Sequence, residues 1–188
     1  MFTIDQLLIN SLLYIMLPLW VIAGFVDWCC HRATKIETTT GLTESLMHSV
    51  MGIQIAIPMY LCLLFEVNVL ILLICIVAWA LHEIVAHLDI KYAEHRRRIG
   101  LWEMQAHSYL ATLPTYMILM IGIINWPVVQ KLFTLDFSGQ MSFIFIDQPH
   151  GGENYLPIYM VFMAIVGVAP YVEENIRCLR IALKSPKL

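Results

Sequence analysis

From Val67 to Ile90 the chain reads V-N-V-L-I-L-L-I-C-I-V-A-W-A-L-H-E-I-V-A-H-L-D-I. Nothing charged occurs between Val67 and Leu81, and then His82, Glu83, His87 and Asp89 follow within eight residues. An uncharged run of this length matches the roughly 20 apolar residues that a helix needs to cross a ~30 Å hydrocarbon core. The polar end that follows is where such a helix leaves the bilayer, and the same design recurs on either side. The apolar stretches are Leu7 to Val26, Leu46 to Phe65, Val67 to Ala86, Tyr109 to Ile124 and Leu156 to Val172. With their polar ends they predict helical spans at about 7–30, 44–65, 67–90, 101–125 and 156–174. The composition agrees: 60% of residues are apolar and 13% charged, against roughly 45–50% and about 25% in soluble domains. The reading is an all-α integral membrane bundle forming one transmembrane domain over 1–188.

No basic segment or small-residue cleavage site precedes the first stretch, which is read as a retained helix. Five cysteines without a C-x-x-C pair give no disulfide framework. A net charge of −3 gives no support to nucleic-acid binding. Lys and Arg set the orientation. One set of connections carries Arg32, Lys35, Lys91, Arg96, Arg97, Arg98, Arg177, Arg180, Lys184 and Lys187, and the opposite set carries only Lys131. This bias places the N-terminus outside and the C-terminus in the cytoplasm, in a bacterial inner membrane. The outer segment around Val128–Phe133 is expected to form a short interfacial helix.

The ionisable residues gather at the inner span ends. The first span ends with Asp27 and His31, and the second opens with Glu44 and His48. The third ends with His82 and Asp89, and the fourth opens with Glu103 and His107. Ionisable groups inside a span cost about 2.5–3.5 kcal/mol each at the helix centre. A bound cation accounts for both carboxylates and neutral imidazoles, because it uses their lone pairs. Asp27 and His31 are four apart, as are Glu44 and His48, and Glu103 and His107, so each pair shares a helix face. His82 and Asp89, seven apart, also share a face, separated by about 10 Å of rise. His82-Glu83 followed by His87 has one residue too many for the H-E-x-x-H zinc motif. Residues 41–49 and 100–108 agree at Gly, Leu, Glu, His and Ser, which reads as an internal repeat. In that reading each helical hairpin, first with second and third with fourth, brings a similar half-site to the inner face.

The candidate metal ligands are therefore His31, Glu44, His48, His82, Asp89, Glu103 and His107, with Asp27, Glu37, Glu83, His87 and Tyr92 as supporting or additional groups. Asp27 orients His31 in this scheme. His95 and the three arginines after it are read as a topology signal and lipid-headgroup contact. Glu173 and Glu174 close the fifth span on the same side; pairing with Arg177 is the first reading, and reach of one of them into the cluster is the alternative.

The ligand arrangement resembles that of ferritin-like di-iron oxidoreductases, in which two helices each give a carboxylate and two give a Glu-His pair. The spacing here is four residues where those proteins use three. The chain as a whole resembles an uncharacterised family of small polytopic bacterial membrane proteins. The strings are Asp27-Trp28-x-x-His31-Arg32, Ile36-Glu37-x-Thr39-x-Gly41, Glu44-Ser45-x-x-His48, His82-Glu83, Asp89-x-x-Tyr92-Ala93 and Glu103-x-x-x-His107-Ser108. They cover residues 25–110 closely and imply no established activity. The expected function is a di-metal oxidoreductase holding two metal ions, iron before manganese or zinc. It would act on a lipid or other lipophilic substrate at the inner leaflet and draw on an electron-donor protein. The alternatives are a haem-binding electron-transfer protein and a metal-ion transporter or sensor.

Overall fold

The computed structural model describes residues 2–139 and 141–184, so Lys187 of the charge count lies outside it. Five helices are long and apolar enough to cross a membrane: α1 (Ile4–Thr34), α2 (Leu42–Leu64), α3 (Val69–Glu94), α4 (Leu101–Ile124) and α6 (Tyr155–Lys184). The short α5 (Trp126–Phe133) lies between α4 and the long connection, where the interfacial helix was expected. No named strand occurs among the described residues, only a bridge between Phe65 and Phe145.

Local chemistry sets the boundaries. Lys35 takes a left-handed conformation (φ 54°) and donates its N–H to the carbonyl of His31, which ends α1. Gly41 enters α2 at φ +68°, a conformation that favours glycine. Asn68 caps α3 by accepting from the N–H of Ile71 at 3.2 Å. Its amide also donates to the Ser142 carbonyl at 2.6 Å, tying the α2–α3 turn to the connection that follows α5. α6 exceeds the expected fifth span by ten residues at its C-terminal end. The segment Ala169–Lys184 is amphipathic, and its Pro170, Glu174 and Cys178 are buried along one face.

α2 packs along α3 and α1 along α4, while α6 fits against both α1 and α2. The helices thus form a closed ring in the order α1, α4, α3, α2, α6. The short turn around Glu66 predicts a tight hairpin of the second and third spans, and α2 and α3 form it; α1 packs on α4 more than on α2. A pattern of helix faces sets which side is buried but leaves the neighbour open. Leu13, Leu17, Trp20 and Val21 of α1 meet Ile55, Met59 and Leu63 of α2, Leu113 and Met117 of α4, and Tyr159 and Met163 of α6. Inside a bilayer this contact stabilises through close packing, since lipid tails are as apolar as leucine. Outward, Ile53, Ile57, Val77, Leu119, Ile123 and Ile165 are all about half exposed or more. Water tolerates few such belts on a monomer, whereas a bilayer solvates them.

Candidate metal centre

The ring closes most tightly at the end where α1, α3 and α6 finish and α2 and α4 begin. Five carboxylates enter it, one from each helix: Asp27, Glu44, Asp89, Glu103 and Glu174. All five are buried, with relative exposures of 0–2%. His31, His48 and His107 stand among them. His31 and His48 are stacked, with ring centroids 4.6 Å apart and planes 12° from parallel.

Both nitrogens of His31 face carboxylates. Its Nδ1 lies 3.1 Å from Glu174 Oε2. Its Nε2 lies 3.3 Å from Glu103 Oε1, 3.5 Å from Asp27 Oδ1 and 3.7 Å from Glu44 Oε1. His48 is placed alike, with Nε2 3.1 Å from Asp89 Oδ2 and Nδ1 3.5 Å from Glu174 Oε1. His107 Nε2 is 3.0 Å from Asp27 Oδ1. A neutral imidazole has one N–H and one lone pair, and a carboxylate only accepts. A neutral His31 or His48 can therefore satisfy one neighbouring carboxylate, and its other nitrogen opposes lone pair to lone pair. The buried atoms without a hydrogen-bond partner include His31 Nε2, His48 Nδ1, His107 Nε2, both oxygens of Asp27 and Asp89 Oδ1. Only a cation relieves such an arrangement, either a second proton or a metal ion.

The donor set suits a metal. Three groups bring one ligand atom per residue within 4.8 Å of one another: Asp27, His31, His48 and His107; His31, Glu44 and Glu103; and Glu44, His48 and Asp89. None contains a cysteine. Metal–ligand bonds of about 2.0–2.2 Å put neighbouring ligand atoms roughly 3.0–3.5 Å apart. Most of the nitrogen–oxygen separations above fall in that range.

One cation is built in. Arg97, in the α3–α4 connection, forks onto both Glu44 and Glu103. Burial works against its charge, but hydrogen bonds to Glu103 and Glu44 outweigh burial and hold its pKa above the ordinary guanidinium value. Each carboxylate offers about four lone-pair sites, so the forks leave Glu44 and Glu103 free to accept on the side of His31. Five buried carboxylates face one guanidinium, so with all five ionised four negative charges would be left for the imidazoles or a metal ion to balance.

Of the seven expected ligands, six meet in this ring: His31, Glu44, His48, Asp89, Glu103 and His107. Asp27, expected as a supporting or additional group, lies between His31 and His107 as a member of the ring. His82 does not join. It sits two turns from Asp89 along α3, and its Nε2 faces the Leu110 carbonyl at 3.3 Å. The rise along a straight helix separates the two. Glu37 pairs with Arg177. His87 is exposed, and Glu83 belongs to none of the ligand groups. The Tyr92 hydroxyl donates to the Thr40 carbonyl at 3.3 Å, beneath a stacked Arg96.

Two residues of the ring were assigned other roles from sequence. Glu174 was read first as an ion-pair partner of Arg177, yet Glu173 takes that part and contacts Arg32 and Arg177 at 2.6 and 3.3 Å. The signal for Glu174 was its spacing from Pro170 and Cys178, four residues on either side. Arg97 was read as a headgroup contact, and nothing in the run of three arginines singles it out.

The ring borders a cavity of about 330 Å³ whose walls are mostly apolar. Asp27, His48, Asp89 and His107 line its polar end, and Trp20, Met51, Leu110 and Met163 are among its walls. No family model, no curated protein and no solved structure matches the chain.

Proposed function

We propose that the chain is a membrane oxidoreductase whose ring of carboxylates and imidazoles holds two divalent metal ions and acts on an apolar substrate. The observation that carries this reading is the buried ring of five carboxylates and three imidazoles with a single guanidinium, bordering an apolar cavity. Three protonated histidines would leave one negative charge, whereas two divalent cations leave none. His31, Glu44 and Glu103 would hold one ion, and Asp27, His48 and His107 the other, with Asp89 beside His48. Mixed carboxylate and imidazole donors without thiolate suit iron or manganese over structural zinc. The stacked rings of His31 and His48 leave no slot for a porphyrin between them, which favours a metal pair over haem.

When bound, a redox-active pair would supply activation of dioxygen. Hydroxylation of a C–H bond then inserts one oxygen atom and releases the other as water, consuming two electrons and two protons from a donor. The chain's own residues prepare the site. Glu174 accepts from His31 Nδ1 and so turns Nε2 toward Asp27, Glu44 and Glu103. Arg97 holds Glu44 and Glu103 side by side. Asn175 fastens α6 to α2 beside the ring, accepting from the Ser45 hydroxyl at 2.8 Å and donating to Ser49 at 2.6 Å. His107 and Asp27 face the cavity, where the reacting carbon would lie, and the apolar walls exclude water. The bias of Lys and Arg supports placing the ring at the cytoplasmic side of a bacterial inner membrane.

Metal analysis of the detergent-purified protein tests this reading. Wild type is expected to carry about two metal ions per chain, the number held by four-helix carboxylate centres, and Glu44→Ala and His107→Ala to lose them. A folded wild type that holds no metal after iron or manganese loading would overturn it.

A further inference from the structure

A second cavity, of about 350 Å³, occupies the half of the bundle away from the ring. Each cavity lies within the roughly 300–1,000 Å³ of ordinary ligand sites. Their walls follow one another along four helices. Leu17, Ile55, Trp79 and Pro114 line the second cavity, and Val21, Gly52, His82 and Leu110 line the first. Each of these pairs is three or four residues apart, one helical turn. The cavities are therefore stacked end to end along the bundle axis.

Small residues and irregular helix make the inner cavity. Gly52 lies on its wall, and a Cβ built there meets no atom within 4 Å. Glycine weakens a helix relative to alanine, so open space at this position exists at a cost to α2. Across the cavity, Met163, Gly167 and Val168 belong to the π-helical stretch of α6, a distortion frequent at functional sites. At the far mouth of the second cavity the lining turns polar, with Glu66, Asn125 and a half-buried His150.

From these features we infer that the two cavities hold one unbranched hydrocarbon chain in single file, polar end at the far mouth and other end beside Asp27 and His107. Along α4, His107 and Asn125 are eighteen residues apart, a rise of about 27 Å. That length accommodates an extended chain of ~16–18 carbons with its head group, given ordinary carbon–carbon geometry. The end-to-end arrangement gives room for one chain and none for the second chain of a diacyl lipid. The substrate class is a single-chain amphiphile, and its carbons near the methyl end lie next to the ring. That this end reacts rests on the proposed oxidoreductase reading, but occupancy by a chain does not.

The test uses the full chain in nanodiscs and straight-chain carboxylic acids of 8 to 18 carbons, which compete with a fluorescent polyene fatty acid. Affinity is expected to rise with length up to about sixteen carbons. Gly52→Phe places a ring at the junction and is expected to abolish the gain beyond about ten carbons, with metal content unchanged. Ala111→Phe obstructs the same cavity from α4 and should act alike, while Gly52→Ala, whose methyl meets open space, keeps the wild-type length dependence. Wild-type affinity independent of length, or length dependence that survives in both Phe variants, overturns the inference. A chain-length dependence in a protein without metal would keep the slot and remove only the metal reading.

Discussion

Glu174 gives the sharpest test of the ring, because its neighbour Glu173 is an internal control. Glu174→Gln changes one oxygen to an amide nitrogen and removes one charge. The wild-type carboxylate faces two imidazole nitrogens, at 3.1 Å on His31 and 3.5 Å on His48. An amide presents an acceptor to only one of them and turns its NH2 toward the other. A hydrogen bond to a charged group contributes about 1.5–3 kcal/mol, which corresponds to roughly a 10- to 150-fold change in an equilibrium constant at 1.4 kcal/mol per decade. Loss of a group that orients metal ligands costs about 10–100-fold in metal affinity, so the two routes agree. The assay is chelator competition for iron or manganese in detergent-purified protein. Glu174→Gln is expected to weaken binding by about 10–100-fold. Glu173→Gln, which loses only contacts to Trp28, Arg32 and Arg177 outside the ring, is expected to bind as wild type. Equal affinity of Glu174→Gln and wild type would refute the orienting role. So would an equal loss in both variants, which would mean that the C-terminal half of α6 acts only through general stability.

Three further outcomes follow from the same geometry. Arg97→Ala strands Glu44 and Glu103 without their buried partner and should destabilise the metal-free protein by about 3–5 kcal/mol, the cost of breaking a buried pair; Arg98→Ala in the same run should stay near zero by thermal unfolding. His82→Ala should leave metal content at the wild-type ratio, because His82 stands apart from the ring, and loss of metal in that variant would put it back among the ligands. His150 has its pKa lowered by burial, so the folded protein disfavours its charged form. The contribution is present above the ordinary histidine pKa of about 6.5 and is lost as pH falls through the lower folded value. His150→Gln should therefore lose less stability than wild type between pH 7 and pH 5, read as the shift in melting temperature.

The spans and most of the ring were legible because two simple signals coincide. Hydropathy marks the bilayer, and a spacing of four places Glu44 with His48 and Glu103 with His107 on one face each. The repeat of these pairs drew attention to the right end of the bundle. What remained hidden depends on neighbours in space. Periodicity shows that α1 buries a face but not that α4 covers it. Asp27 looked like a support for His31 because only its own helix was in view, whereas His107 approaches it from α4. His82 shares a face with Asp89, yet a straight helix holds them too far apart along its axis. Hydropathy ends the fifth span near Val172, while the helix continues because its buried face, with Glu174 and Cys178, is narrow and partly polar. Arg97 differs from Arg96 and Arg98 only in where the α3–α4 connection happens to aim it.

Glu174, on α6, is the ring residue synthesised after all the others. The other ring residues lie between Asp27 and His107, so all of them leave the ribosome well before α6 does. Until α6 inserts, His31 and His48 lack the carboxylate that faces both of them, and the ring is open on the side that α6 covers. Under the proposed reading, loading of metal would await the insertion of α6, and a protein stopped at Val168 is expected to retain none after purification.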